Sequence, residues 1–487
     1  MILEADVLAG FPAEVQVPAG TVAAAVAVSA RVLVVLDDDP TGTQSVANLP
    51  VLTRWDTEDF RWAFAHRIGG EQARAVYVLT NTRSLDPDEA AARNVEIVTS
   101  ALAAAKESGT TLGFVSRSDS TLRGHYPLEP DTMAATIMAV AGESTDGVVI
   151  VPAFPDAGRI TIGGVHYTRA DGGTLVPVAE TEFARDASFG YKHSALAEYV
   201  QEKSAGRFQA ADVIVLDLDT IRAGTAEEGA QAIADAVDAA VDSTPIVVDV
   251  VTENDLRILA LGLEEAEKRG KKLLYRVGPP FVRARIGQEI HAELAPEEIY
   301  PAAGHTPSSH GGLIVVGSHV GVTTRQLAAL TAAHSAARIV EIDVEQLLGA
   351  GAAAYLDRTV DQVVEALHDG DAIVHTSRLL IKTDDAAQSL EIARTVSAAV
   401  VAVVNRTLKT FPPRFVIAKG GITSSDVAAH GLQIRHAIVR GPMLPGIVSL
   451  WEPVDGPAAG IPYIVFAGNV GDDQSLAAVT RKLSSTF

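Results

Sequence analysis

Short apolar runs rich in Val, Ile and Leu recur along the chain, and each one stops abruptly at a polar or Gly-rich loop. In the first half these runs are Val32–Leu36, Val76–Leu79, Leu112–Val115, Val148–Val151, Val213–Leu216 and Ile246–Val251. Continuous apolar runs, unlike alternating ones, are typical of strands that are covered on both faces. We therefore predict a series of buried strands.

Amphipathic stretches separate several of these runs, at Asp88–Ser108, Thr225–Ala240 and Glu253–Arg269. The alternation predicts an α/β fold with a largely parallel sheet flanked by helices. Ligands bind such sheets at the carboxyl ends of the strands, which is where the polar loops would gather.

The same pattern restarts in the second half. Its runs are Leu313–Val316, Arg338–Ile342, Ala372–His375, Phe415–Ala418 and Tyr463–Ala467, and Thr383 is a candidate cap for a helix that reaches about Leu408. A Pro/Gly/Ser-rich stretch without periodicity, residues 301–312, reads as a linker. A chain of 487 residues is also too long for one ordinary core. We predict two domains, 1–304 and 305–487, with the active site in the cleft between them.

Two segments do not follow the pattern. The apolar stretch Val22–Leu36 contains Ser29 and Arg31 and is too short to span a bilayer, so we interpret it as a loose lead-in followed by a buried strand. The region Gly158–Tyr191 is rich in Gly, Thr and aromatic residues. It predicts a β-rich excursion or a lid.

Composition narrows the class of protein. Hydrophobic residues make up 47% and charged residues 21%, as in soluble globular proteins. A formal charge of −22 without a run of Lys and Arg argues against nucleic acid. The absence of cysteine excludes disulfides and thiolate catalysis, and Glu4 and Asp6 stand where a secretory signal would be basic. We expect a cytoplasmic protein without a nucleic-acid or membrane partner.

An acidic cluster, Asp37, Asp38 and Asp39, follows the first predicted strand, and Thr41 and Gly42 come directly after it. At a strand end these carboxylates could accept hydrogen bonds from substrate hydroxyls, deprotonate one of them, or hold a divalent cation. A solvated acidic turn is the alternative. The position after a buried strand favours function.

A second polar cluster, Ser116–His125, follows another strand. Its candidate ligands are Arg117, Asp119, Ser120, Thr121 and Arg123. Because a guanidinium binds a carboxylate through two parallel hydrogen bonds, Arg123 or Arg117 is a suitable anchor for an acid. The alternative is an Asp119–Arg123 pair that caps the next helix. The loop Pro152–Arg159, with Asp156, is either a wall of the site or a structural turn.

Glycine-rich loops follow three strands of the second half. They are Gly317-Ser318, then Gly420-Gly421-Ile422-Thr423, then Gly468-Asn469-Val470-Gly471. Glycine lets a backbone approach phosphate, and helix starts offer free N–H donors. Any one of these loops is typical of a plain turn, but three in one domain favour a nucleotide site. The Walker, dinucleotide, G-x-S-x-G and H-E-x-x-H patterns are absent, and no metal ligands are identified.

Together these clusters resemble the four-carbon acid sugar kinase family. Its D-D-x-T-G motif is matched by Asp38–Gly42 and its D-S-T-L-R-G motif by Asp119–Gly124. A P-A-F-P…G-R-x-x-x-G-G segment begins at Pro152, and the three glycine loops correspond to the family's G-S, G-G-x-T and G-N-x-G loops. The matches run in order from residue 37 to 471.

The resemblance implies ATP-dependent, Mg²⁺-requiring phosphorylation of a hydroxyl of threonate, erythronate or a 3-oxo-tetronate. Asp38, Asp39 and Arg123 would then be catalytic. Sugar-acid contacts would come from Asp37, Thr41, Gly42, Arg117, Asp119, Ser120, Thr121 and Asp156, and ATP contacts from Ser318, Gly420, Gly421, Ile422, Thr423, Gly468, Asn469 and Gly471. The chain departs from the family at Arg117, where a Lys is usual, at the additional Asp37, and at Ala467, where Ser is usual.

Two other functions stay open at this point. A ligase would activate the carboxylate itself and form an acyl phosphate. A sensor would bind a sugar acid and a nucleotide without turnover, although the presence of both the acidic cluster and all three glycine loops argues against it. For the kinase, a homodimer is the assembly to test.

Overall fold

The computed structural model describes residues 2–300, 311–377 and 386–487, with side chains omitted for 386–390. By its contacts the chain divides into two compact units. The first comprises Met1–Pro50 and Arg54–Ile290, and the second comprises Val51–Thr53 and His291–Phe487. The predicted domain border after residue 304 and the candidate cap Thr383 lie outside the described residues, so both stay predictions.

A parallel sheet forms the centre of the first unit. Its strands are β1 (Val32–Asp37), β2 (Ala75–Leu79), β3 (Leu112–Arg117), β4 (Gly147–Val151), β5 (Ile214–Leu216), β6 (Thr244–Val248) and β7 (Leu273–Val277). They lie in the order β5-β6-β4-β7-β3-β1-β2, and neighbouring strands run parallel. The predicted parallel α/β sheet is therefore confirmed, and its polar loops follow the carboxyl ends of the strands.

Two details of this sheet differ from the prediction. Strand β6 ends at Val248, before Asp249, because that buried carboxylate accepts hydrogen bonds from the backbone N–H groups of Gly163 and Gly164 instead of continuing the run. Strand β7 was not predicted, since Arg276 interrupts its apolar pattern. That arginine is buried and pairs with Glu129, at 2.5 Å, which offsets the cost of burying its charge.

The region Gly158–Tyr191 is β-rich, as predicted. Its strands Arg159–Ile162, Val165–Ala170 and Thr174–Pro177 form an antiparallel sheet that Ile2–Leu3 extends. Ile160, Ile162, Tyr167 and Leu175 pack in a small core with Leu218 and Val251 of the first unit.

Helices cover the sheet of the first unit. The longer ones are Ala19–Ser29, Thr57–Ala65, Pro87–Ser108, Leu128–Ala141, Leu196–Lys203, Ala226–Val237 and Glu253–Lys268. The helix after Asp86 begins where that side chain accepts a hydrogen bond from Glu89 N, and it ends at Gly109 with φ +68°. Ala19–Ser29 corrects the expected loose lead-in, because its alanines favour a helix and Val22 and Val26 are buried.

The second unit also contains a parallel sheet. Its strands are β8 (Leu313–Val316), β9 (Arg338–Ile342), β10 (Ala372–Thr376), β11 (Val416–Lys419), β12 (His436–Leu444), β13 (Val448–Pro453) and β14 (Tyr463–Phe466). The strands β14-β11-β8-β10-β9 are adjacent in that order and parallel, whereas β12 and β13 pair antiparallel, with β13 beside β14. The antiparallel strands were not predicted.

Helices Gly321–Ala333, Ala352–Asp369, Ala386–Thr410 and Ser475–Leu483 flank this second sheet. A short helix, Gly421–Asp426, starts directly after β11 and continues into a wider turn, Val427–Gly431. The helix start predicted at this glycine loop is confirmed. Among the described helices, none is long and apolar enough to cross a membrane.

Candidate active site

Asp37 and Arg117 are the last residues of neighbouring strands and stand opposite each other in register. The Arg117 Nε contacts the Asp37 carboxylate, Nη2 donates to the Asp39 carbonyl, and Nη2 lies 3.4 Å from Asp38 Oδ1. Side-chain exposure is 2% for both Asp37 and Arg117. Arg117 is therefore the buried counterion of the acidic cluster, and its guanidinium is committed to protein groups.

Burial raises the pKa of Asp37 to about 7, although the Arg117 guanidinium opposes this shift. Gly42 is required beside this pair because a Cβ at that position would collide with the Asp37 carboxylate and the Arg117 Nε. Asp37 and Gly42 thus support the acidic cluster from the buried side, through their contacts with Arg117.

Arg83 connects the other two carboxylates of the cluster. Its Nη2 lies 2.7 Å from Asp38 Oδ1, its Nε lies 3.1 Å from Asp38 Oδ2, and its Nη1 lies 3.6 Å from Asp39 Oδ2. Arg83 follows strand β2 in a short turn, Thr82–Ser84. Sequence reasoning missed it, although a polar loop after a buried strand was the available signal.

Asp39 is the more accessible member of the pair. Its side chain is 20% exposed, against 2% for Asp38. Oδ1 of Asp39 accepts hydrogen bonds from Thr41 N and Thr41 Oγ1, at 2.9 and 2.5 Å. Burial disfavours its charge, but Arg83 and Arg117 outweigh that effect and lower the pKa of Asp39. Asp39 is therefore ionised at neutral pH, with Oδ2 available to a ligand.

In the second polar cluster, Asp119 accepts hydrogen bonds from two side chains. Its Oδ2 accepts a hydrogen bond from Arg123 Nε at 2.6 Å and another from Thr121 Oγ1. Burial opposes ionisation of Asp119, but Arg83 and Arg123 outweigh it and lower its pKa to about 2. The Asp119–Arg123 pair that was considered as an alternative therefore exists, and it orients a guanidinium that remains 24% exposed.

Three buried rings fix the backbone of the loop Asp119–Gly124. Its consecutive carbonyls accept hydrogen bonds as follows: Ser120 from His166 Nε2 (2.8 Å), Thr121 from Tyr191 (2.8 Å) and Leu122 from Tyr199 (3.0 Å). Burial lowers the pKa of His166 to about 4, so the ring is neutral at pH 7. Nε2 must carry the proton to donate to a carbonyl, and Nδ1 accepts from Thr161. The loop is rigid because its carbonyls are held by groups in the core.

A second arginine lies near Arg123. The Arg123 and Arg159 guanidinium carbons are 5.2 and 5.8 Å from the ring centroid of Phe183. Arg159 donates to the Ala157 carbonyl, its Nε is buried without a partner, and within the described ranges no carboxylate lies at ion-pair distance from it. Burial lowers its pKa. Arg123 Nη1 also lies 3.8 Å from Asp186 Oδ2. Two arginines around one ring, one of them without an ion pair in the described ranges, form a position suited to an anion.

Asp156 lies outside this group. It occupies the turn Pro155–Ala157, is 42% exposed, and its Oδ2 lies 3.3 Å from Arg283 Nη2. Arg283 is held mainly by Glu253, at 2.6 Å. Asp156 is thus an exposed partner of a second ion pair.

In the second unit the three glycine loops meet at Ser318. A Cβ on Gly420 would lie 3.2 Å from Ser318 Cβ, and one on Gly468 would lie 2.6 Å from Ser318 Oγ. A Cβ on Gly317 would collide with the Thr423 hydroxyl. Gly420 also has φ +130°, a conformation that L side chains rarely adopt. The glycines therefore let the three loops pack closely around the Ser318 and Thr423 side chains, and we call these three loops the cradle.

Neighbouring side chains hold the last loop in place. Thr323 Oγ1 donates to Gly468 O at 2.8 Å, and Gln326 Nε2 donates to Val470 O at 3.0 Å. Asn469 is exposed, and Gly471 has φ +80°. Gly421 opens the following short helix, and Ile422 is 59% exposed beside it.

Lys419 was not among the predicted site residues, although it precedes a glycine loop. It is fully buried, and its Nζ donates to the Ala467 carbonyl at 2.5 Å and lies 3.9 Å from the ring centroid of Phe466. Burial lowers its pKa to about 7. A charged residue at the end of an apolar strand was the signal that could have identified it.

Across the described ranges, no three His, Cys, Asp or Glu side chains are grouped so that they could hold a metal ion. The requirement for Mg²⁺ stays a prediction.

Comparison with known families defines the class of molecule. Residues 33–285 match a family model described as a sugar-binding N-terminal domain, and residues 313–476 match one described as a nucleotide-binding C-terminal domain. The chain is a two-domain α/β protein with one domain of each kind. It belongs to the four-carbon acid sugar kinase family, as the sequence motifs indicated.

Named relatives and solved structures agree with this assignment. The chain is 26% identical to D-erythronate kinase of Heliobacterium modesticaldum over 76% of this chain and 75% of that one. It is 28% identical to D-threonate kinase of Cupriavidus necator over 53% of this chain and 54% of that one. A structure from Salmonella typhimurium LT2 superposes with a TM-score of 0.67 at 20% identity, over 93% of this chain and all of that one. A structure from Haemophilus influenzae superposes with a TM-score of 0.61 at 18% identity, over 92% of this chain and 99% of that one. At these identities the two structures support the fold alone.

Proposed function

We propose that this protein is an ATP-dependent kinase that phosphorylates a hydroxyl of a four-carbon sugar acid, such as threonate, erythronate or a 3-oxo-tetronate. The relatives named as kinases support the reaction class, and the two family models support a sugar ligand and a nucleotide ligand. The finer substrate assignment rests on the geometry of the first unit.

One observation carries the proposal: an anion position and an accessible carboxylate share a single network of contacts. Arg123 and Arg159 surround Phe183, and Arg123 is held by Asp119. Arg83 acts on Asp119 electrostatically and holds the acidic cluster through Asp38 and Asp39. A small molecule with a carboxylate at one end and hydroxyls at the other matches this pattern of charge.

In the proposed mechanism, Arg123 and Arg159 bind the substrate carboxylate and Asp39 Oδ2 accepts the hydrogen bond of the reacting hydroxyl. Phosphoryl transfer depends mainly on positioning and charge neutralisation, so a carboxylate that orients the nucleophile is sufficient. Asp38 and Arg117 are buried and ion-paired, so in this mechanism they position the other groups without contacting the substrate. The substrate contact expected of Arg117 is thus replaced by a supporting role.

The second unit is proposed to bind the nucleotide. Its cradle brings the backbone of three strand-end loops and the start of a short helix together around Ser318, because Gly420 and Gly468 have no Cβ that would keep the loops apart. Mg²⁺ in such enzymes is held by one or two carboxylates together with phosphate oxygens, and it neutralises phosphate charge. Asp39 has the chemistry for this contact, with a partly exposed oxygen.

The test is release of ADP by the purified full-length chain with ATP and Mg²⁺ against a panel of four-carbon acids. The panel contains both enantiomers of threonate and erythronate, the 3-oxo-tetronates, and the neutral tetritols as controls that lack the carboxylate. Stimulation by at least one acid and by none of the tetritols is the expected result. Stimulation by an unrelated acceptor alone would overturn the substrate assignment.

A further inference from the structure

An apolar cavity of about 240 Å³ lies within the second unit, beside the carboxyl ends of β8 and β10. One wall is a face of the helix Ala386–Thr410 that includes Val396 and Val400, and the opposite wall includes Ile422 and Val427. The volume is below the roughly 300–1,000 Å³ of pockets that enclose a whole ligand. The cavity is therefore of a size for one flat part of a larger molecule.

The cavity borders the cradle around Ser318. Gly317 and Thr423, which belong to two of the glycine loops, also line the cavity. Ile422, between Gly421 and Thr423 in the same glycine loop, also lines the cavity, and 59% of its surface is exposed. A ligand with a charged end in the cradle could place an apolar, planar end in the cavity.

The lining is mostly apolar, and its polar members are His319, Thr376, Ser397, Thr423 and the carboxylate of Asp426. Asp426 is half-buried, and its Oδ2 accepts a hydrogen bond from the hydroxyl of Ser397, which also lines the cavity. Within the described ranges no Lys, Arg or His lies at ion-pair distance from Asp426. A carboxylate in this setting accepts hydrogen bonds from a ligand N–H group.

We propose that this cavity binds the adenine ring of a nucleotide whose phosphates occupy the cradle, and that Asp426 accepts a hydrogen bond from the adenine amino group. The inference rests on the proposed nucleotide role of the second unit and adds the residue that selects the base. Apolar side chains cover the two faces of the ring, and Ser397 fixes the orientation of the carboxylate. Hypoxanthine carries a carbonyl oxygen where adenine carries its amino group, so its lone pairs would face those of Asp426.

The first test compares ATP with inosine triphosphate, which differs in this group, in the wild type and in Asp426→Asn. The wild type is expected to show a KM for inosine triphosphate about ten- to a hundredfold above that for ATP, because a charge-assisted hydrogen bond is lost. Asn can donate as well as accept, so Asp426→Asn should bring the two KM values within about threefold of each other. Asp357→Asn, which alters a surface pair with Arg406, is the control that should keep the wild-type ratio.

The second test fills the cavity without touching Asp426. Ala393 lines the cavity from an exposed position on its helix, so Ala393→Phe places a ring in the space of the base without disturbing the core. Ala398→Phe, on an exposed position of the same helix outside the cavity, is the matched control. Ala393→Phe is expected to raise the KM for ATP at least tenfold with unchanged affinity for the sugar acid, and Ala398→Phe to change neither.

The outcomes separate the inference from the proposed function. If ATP supports turnover but the wild type uses inosine triphosphate equally well, or Ala393→Phe leaves the KM for ATP unchanged, the assignment of the base site is wrong. A clear preference for GTP over ATP would also overturn it, because guanine presents two N–H donors to a carboxylate. If no nucleoside triphosphate supports turnover, the proposed function itself fails.

Discussion

Arg83 holds Asp38 by two parallel hydrogen bonds, with Nη2–Oδ1 at 2.7 Å and Nε–Oδ2 at 3.1 Å. This two-point geometry is the strongest arrangement between a guanidinium and a carboxylate. The same guanidinium reaches Asp39 at 3.6 Å. Arg83 therefore holds the buried Asp38 and the accessible Asp39 in fixed positions relative to each other. Because the two differ in exposure, we expect them to have different roles, although they are adjacent and chemically alike in the sequence.

Asp39→Asn should lower kcat at least about tenfold, because in the proposed mechanism the partly exposed Asp39 orients the nucleophile, and it should cost less stability than Asp38→Asn. Asp38→Asn should lower both kcat and stability, since it leaves Arg83 without its main partner. Breaking a buried ion pair costs about 3–5 kcal/mol. Steady-state kinetics and thermal melts measure both effects. Unchanged kcat in both variants would exclude the pair from catalysis.

Arg123→Ala should raise the KM for the sugar acid at least about thirtyfold, because losing a charge-assisted pair costs about 2–5 kcal/mol when the site is desolvated. Arg159→Ala should act in the same direction. Arg61→Ala, which removes an exposed pair with Glu107, is the control and should leave KM unchanged. If KM for the acid is unaltered in both site variants, the carboxylate binds elsewhere.

The free energy of unfolding should fall in acid partly through His166. Its pKa is lowered from 6.5 to about 4, so the neutral ring stabilises the fold above pH 6.5 and that contribution is lost as the pH falls toward 4. The shift corresponds to about 3 kcal/mol across this window. Denaturant melts of the wild type and His166→Asn at several pH values measure it. The two proteins should converge in stability as the pH falls, and parallel curves would contradict the role of His166.

Much of the fold was predictable because buried strands leave a direct trace in the sequence. Runs such as Val32–Leu36 and Leu313–Val316 became strands of the two sheets. Strand β7 escaped because Arg276 interrupts it, and the partner that makes this burial tolerable, Glu129, is 147 residues away. Such long-range compensation leaves no local pattern.

The sequence placed the polar clusters of the candidate site after strands, as the structure has them, but it did not show which of their side chains are buried. The acidic cluster and the loop Asp119–Gly124 were found from their positions after strands. Arg117 and Arg123 looked alike in sequence, yet one is 2% exposed and the other 24%. Burial depends on tertiary packing, so the buried guanidinium and the accessible one could be told apart only in the structure.

Gly421→Val should abolish ATP binding while sugar-acid binding is kept, because a β-branched side chain at the start of the helix restricts the backbone and occupies space beside Gly420. Calorimetry with each ligand separately measures this, after a melt confirms folding. Gly421→Ala is the milder variant if the first does not fold. Retained ATP affinity with lost sugar-acid affinity would reverse the roles of the two units.

The chemical nature of the product distinguishes a sugar-acid kinase most directly, and ³¹P NMR identifies it after turnover with ATP, Mg²⁺ and the best acid of the panel. We expect a phosphate ester on a hydroxyl carbon, with coupling to the carbon-bound protons, that resists hydroxylamine. An acyl phosphate, which hydroxylamine converts to a hydroxamate, would contradict this expectation and identify a ligase that activates the carboxylate. No phosphorylated product with any acid, although both ligands bind, would contradict it in favour of a sensor.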